Sequence, residues 1–268
     1  MRDSFDEESL LLWEILIYYK KFNIFSYKCD KLYIEVIDMD QRMLTEQFDY
    51  ENFLLKVLRW VFVGVAVTAV TSIVVILSGV INYLIDFYFP VLFISVIVEI
   101  AFVWVIGKKL QNHGDQVSYA MAKRYFILYS IVNGVVFSFI LSVISVYITA
   151  LAFALTCAYF GLLYTITKYT SSDFSFVMKV CISVLPILII GYIILIFIHA
   201  PALYYIIVLI DLAVFTGITL YDLKKISTAY HQSLENQREG LALMCALNLY
   251  LDFVNIFIDI LMLIMDNN

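Results

Sequence analysis

Acidic side chains interrupt long apolar runs of this chain at Glu99, Asp211, Asp222, Asp252 and Asp259. In ALNLYLDFVNIFIDIL (246–261), the polar residues Asn248, Asp252, Asn255 and Asp259 follow at offsets of four, three and four. At 3.6 residues per turn this spacing draws one polar stripe down one helix face. The preceding run, YYIIVLIDLAVFTGITLYDLKKI, places Asp211 and Asp222 eleven residues apart, again close to a single face. Two carboxylates held together out of water cannot both ionise cheaply, so such a pair shares a proton. With the proton gone, the same hard oxygens suit a cation. Proton sensing and cation passage are therefore the chemistry open to these residues. Antiparallel packing of the two runs, joined through the loop around 229–240, brings Asp222 and Asp252 together in the inner half of a membrane. Glu99 and Asp211 reach comparable depths from the two sides and are expected to line one pathway, with Asn248, Asn255 and Asp259 along it.

The elements that position these groups must keep them from lipid. A charge at the bilayer centre costs roughly 2.5–3.5 kcal/mol even on a lenient scale. Of the 268 residues 63% are hydrophobic and 15% charged, against about 25% charged in soluble domains. Apolar runs occur at about 57–78, 90–107, 124–146, 148–167, 177–198, 203–223 and 241–264. Each is near the length of about 20 residues that a spanning helix needs. The fold class expected is an all-α membrane protein, a seven-transmembrane-helix bundle with the polar seventh helix at its centre. Lysine and arginine lie only before the first of these runs and in alternate connections, which places the N-terminus in the cytosol. Residues 1–50 read as a cytosolic N-terminal extension and 51–268 as the membrane domain. The acidic start, MRDSFDEESLLLW, does not resemble a cleavable signal peptide.

Plainer readings stand beside the functional ones. Asp222 can neutralise Lys224 or Lys225, and Asp252 can be a neutral acid bonded to Asn248 or a backbone carbonyl. Asp259, near the outer end, can simply be solvated. Asn133 with Ser130, Ser138 and Ser142 is expected to supply interhelical hydrogen bonds. The histidines (His113, His199, His231) sit in loops or at span ends, away from any intramembrane nucleophile, which disfavours a hydrolase and a zinc centre. The cysteines show no metal-binding spacing. A net charge of −6 and the lack of a basic stripe argue against nucleic acid.

The pair FTGITLYDLKKI (215–226) and ALNLYLDFVNIFIDIL resembles the transmembrane Bax inhibitor motif family. It is similar to that family's aromatic-Asp ending of the sixth span and its Leu-Tyr-Leu-Asp-Phe core in the seventh. FLLKVLRWVFVGVAVTA, VIVEIAFVWVI, YSIVNGVVFS and KYTSSDFS are weaker matches, and the resemblance covers about 45–265. It implies a pH-sensitive calcium leak in which Asp222 and Asp252 share protons, can hold the metal ion, and keep the pore closed. The family's acidic residue in the second span falls on Glu99. Its basic latch falls nearest Lys108 or Lys109, which lack the bidentate fork of arginine. The loop STAYHQSLENQREG is longer than the family's pattern.

The expectation is therefore a passive cation channel without an enzymatic step or cofactor, with calcium as the transported ion. Its partners are the lipid bilayer, calcium and protons. The alternative is a non-conducting regulator that binds another membrane protein, such as a protease or stress factor. A bacterial cell membrane is preferred over the endoplasmic reticulum.

Overall fold

The structure is a computed structural model that describes residues 47–84, 98, 101–102, 105–106, 116–198 and 200–265. The described residues form helices and short connections: α1 (Gln47–Leu77), α2 (Val80–Leu84), α3 (Gln116–Val143), α4 (Val146–Tyr169), α5 (Ser175–Phe197), α6 (Pro201–Gln232) and α7 (Arg238–Met265). Six of them, all but α2, are long and apolar enough to cross a membrane. Most of the expected second span falls outside the described residues, although Val98, Ala101, Phe102, Val105 and Ile106 are helical. The chain divides between Asn52 and Phe53, and the bundle belongs to the unit Phe53–Asn268.

Local chemistry sets the helix ends. α1 stops at Gly79, whose φ of +72° is a left-handed conformation that only glycine adopts cheaply. Ser145 caps α4, its Oγ accepting from the Ile148 amide at 3.3 Å. At the far end of α4, the Lys224 ammonium donates to the Thr167 and Thr170 carbonyls at 3.2 and 2.6 Å. It thereby satisfies acceptors that the helix itself leaves open. Pro201 opens α6 at a position where its missing N–H costs nothing.

α6 runs nine residues beyond the apolar stretch that ends near 223, because Ile226 and Tyr230 find buried seats. The Tyr230 ring meets Phe53, and the Arg238 guanidinium lies 4.4 Å from its centroid. Much of the long loop read between the two acidic runs is thus helix. Only Ser233–Gln237, with a 3-10 turn at Glu235–Gln237, separates α6 from α7.

α7 is the most buried of the six spans. Its N-terminal half packs Leu243, Leu247 and Tyr250 against Ala122, Phe126 and Tyr129 of α3. Its C-terminal half packs Phe253, Phe257 and Leu261 against Phe137 of α3 and Ala152 of α4. A separate apolar cluster joins α5 to α6 through Cys181, Leu188, Ile207, Val214 and Ile218. α5 is the least buried span and turns residues such as Ile187 and Ile189 outward, as a lipid-facing helix does.

The glue between α1 and α3 differs from the one expected. Ser130, Asn133, Ser138 and Ser142 donate to carbonyls of their own helix. The interhelical donors come instead from α1: Thr68 Oγ1 to the Ser130 carbonyl at 3.1 Å and Ser72 Oγ to the Gly134 carbonyl at 2.8 Å. A Cβ at Gly134 would fall 2.5 Å from Thr71 Cβ and 2.8 Å from the Thr68 carbonyl, so glycine is what permits this approach.

Candidate functional site

Asp252 lies at the middle of α7 and is 3% exposed. Its Oδ2 has no hydrogen-bond partner among the described residues. The neighbouring α6 brings Asp222 within Coulombic range, and the Thr219 hydroxyl also faces it. Thr219, itself fully buried, has its hydroxyl 2.7 Å from the Phe215 carbonyl and within hydrogen-bond reach of Asp252.

Asp222 is half-buried one helical turn beyond Thr219, and Lys225 acts on it through space. Lys224 points the other way and caps α4. Cys245 of α7 feels both Asp222 and Lys225, which puts its thiol in the same neighbourhood. Asp222 thus acts on Asp252 across the α6–α7 interface.

The rest of the polar stripe divides. Asn255 turns its amide nitrogen back to the Leu251 carbonyl of its own helix at 2.8 Å. Asn248 is partly buried. Asp259 is 4% exposed, which overturns the solvated reading for it, and its Oδ2 has no partner among the described residues. Proximity to the end of α7 was a poor guide, because α6 continues alongside it and covers the carboxylate. Asp211 acts on Asp259 and accepts from the Tyr192 hydroxyl of α5 at 2.8 Å. Glu99, Lys108 and Lys109 lie outside the described residues.

Three contacts escaped the sequence. Thr219 could have been found as the hydroxyl one turn before Asp222. Tyr192 stands in an unbroken apolar run and carries no local signal. At the start of α7, Glu239 pairs with Lys56 of α1 and accepts from the Tyr119 hydroxyl of α3 at 3.0 Å. Lys123 covers the Tyr119 ring at 4.0 Å.

A cavity of ≈ 340 Å³ opens between α1, α3, α4 and α7, lined by Phe62, Phe137, Phe153, Phe253 and Tyr250. No acidic residue borders it. Asp252 and Asp259 lie apart from this apolar space.

A family model described as inhibitor of apoptosis-promoting Bax1 matches residues 50–268. The chain belongs to this Bax inhibitor family. An uncharacterized membrane protein of Streptococcus pyogenes serotype M1 is 28% identical over 167 residues, 62% of this chain and 71% of that one. A counterpart in serotype M6 is 31% identical over 136 residues, 51% of this chain and 59% of its own length. The Escherichia coli K12 inner membrane protein YbhL is 25% identical over 214 residues, 79% of this chain and 90% of that protein. These relatives are bacterial membrane proteins, and with six apolar spans the Bax inhibitor chain is likewise a multi-pass protein of the bacterial cell membrane.

Proposed function

We propose that the chain is a pH-sensitive calcium leak channel, passing the cation down its gradient without a chemical step. The observation that carries this reading is Asp252: a carboxylate 3% exposed, with an unpartnered Oδ2, on the most buried span and in reach of Asp222. A buried acid of this kind is held by a proton or by a cation, and exchange between the two makes a gate. In the protonated state the pair has no net charge, and the α6–α7 seam stays closed. Loss of protons leaves two repelling carboxylates whose oxygens accept calcium, so opening and occupancy are coupled. Asp222 and Asp252 are the gating pair and transient metal ligands. Glu99, Asp211, Asn248, Asn255 and Asp259 line the route, and Lys108 or Lys109 stands nearest the latch position. The proposed topology has seven spans and a cytosolic N-terminus, with Lys56, Lys123, Lys168, Lys224, Lys225 and Arg238 on the inner side.

The test replaces each acid by its neutral isostere. In liposomes loaded with a calcium indicator, Asp222→Asn and Asp252→Asn should each flatten the dependence of calcium entry on pH. Entry and pH response like those of the wild type in both variants would remove the gating role from the pair.

A further inference from the structure

The outer half of the α6–α7 seam holds a second carboxylate pair. Asp211 lies 21 residues before the end of α6 at Gln232, and Asp259 lies 21 residues after the start of α7 at Arg238. Antiparallel neighbours joined by a short turn bring equal offsets to one level. Asp222 and Asp252 stand 10 and 14 residues from the same ends, a stagger of about one turn or about 6 Å. The outer pair is thus the better aligned of the two.

Among the described residues its surroundings give it no counter-charge. Asp259 is 4% exposed with an orphaned Oδ2, and the Tyr192 hydroxyl fixes Asp211 from α5 at 2.8 Å. Asp211 acts on Asp259, and both act on Tyr192. No lysine or arginine acts on either acid among the described residues. None occurs in the outer connections 79–89, 147 and 199–202. Asp222, by contrast, has Lys225 in range. A buried pair of acids without a protein cation draws its balance from solution, as protons or as a metal ion.

We propose that Asp211 and Asp259, with the Tyr192 hydroxyl, form an outer cation site that is separate from Asp222–Asp252 and in series with it. The carboxylates supply up to about four hard oxygens and the phenol one more, leaving water to complete the shell calcium requires. No group of three or more His, Cys, Asp or Glu able to hold a metal occurs among the described residues. The site is accordingly one of transit, binding weakly enough to release its ion. Its place in series rests on the leak reading; its existence does not.

Terbium stands in for calcium and luminesces when a tyrosine beside it is excited, so Tyr192 is a built-in antenna. Full-length protein in nanodiscs of uncharged lipid, titrated with terbium, should show a sensitised component that calcium displaces. Asp211→Asn and Asp259→Asn should each weaken that component about tenfold, whereas Asp222→Asn and Asp252→Asn should leave it in place. Asparagine keeps the shape of aspartate, and each outer variant reports the site from a different helix should the other fail to fold. Absence of the component in the wild type would overturn the proposal, as would its survival in a folded outer variant or its loss with Asp252→Asn instead. A displaceable component that depends on Asp259, in a protein that passes no calcium in liposomes, would leave the site standing and the leak reading rejected.

Discussion

Two carboxylate oxygens, Oδ2 of Asp252 and Oδ2 of Asp259, are buried on the central helix with no hydrogen-bond partner among the described residues. A stability-optimised core does not leave such atoms, because each costs on the order of 1–3 kcal/mol. The same helix shows what a satisfied polar group looks like. The Tyr250 hydroxyl meets Thr68 Oγ1 at 2.7 Å, and its ring packs edge-on against Phe126 and Tyr129. Tyr250→Phe should therefore lower stability by about 0.5–1.5 kcal/mol, read as a modest drop in melting temperature in detergent. A loss of several kcal/mol would mean that the hydroxyl does more than anchor α7 to α1. The polar stripe on α7 was legible in the sequence because helical periodicity is local. Tyr192 was not legible, since its role exists only once α5 lies beside α6. Asp259 was misjudged because depth was counted along one helix, while burial depends on the neighbour.

At the scale of elements, the seams are set by small residues and by helix ends. Gly134→Ala would drive a methyl into Thr71 and the Thr68 carbonyl, two contacts under 3 Å. Overpacking of this kind costs about 1–3 kcal/mol. The variant should unfold at lower temperature, and Thr71→Ala in the same chain, which keeps the clashing Cβ, should recover little of the loss. The entry to α5 gives a pH-dependent prediction outside the membrane. The Ser175 hydroxyl and then its amide donate to Asp173 and hold its carboxyl below the usual carboxylate range. A depressed folded value means the contact stabilises above the unfolded value of about 3.9 and is lost as pH falls through the folded one. Hydrogen exchange in the first turn of α5, corrected for the chemical rate, should quicken as the solution is acidified below the ordinary carboxylate range. Asp173→Asn should abolish that change. Apolar run lengths located the spans well, yet missed the nine extra residues of α6. Ile226 and Tyr230 earn their helical places through tertiary contacts that hydropathy does not register.

For the whole molecule, the exposed apolar side chains on α1, α4, α5 and α6, such as Phe62, Leu162, Ile187 and Leu209, are a surface for lipid chains. The carboxylates occupy the opposite environment, along the seam between α6 and α7. The family membership of residues 50–268 fits this division between a lipid-facing shell and a polar centre. A one-sided distribution of lysine and arginine predicts the topology. Single cysteines placed at Ser78 and Ser233 in a cysteine-free chain should label from opposite sides of the membrane, and labelling from the same side would reject it. Conduction itself decides between a leak and a regulator that works only by binding. The direct measurement is calcium entry into liposomes carrying the purified wild-type chain, followed with a trapped indicator across a series of pH values. Entry well above protein-free liposomes, changing with pH, is the predicted result. Entry no greater than the protein-free background at every pH would contradict it.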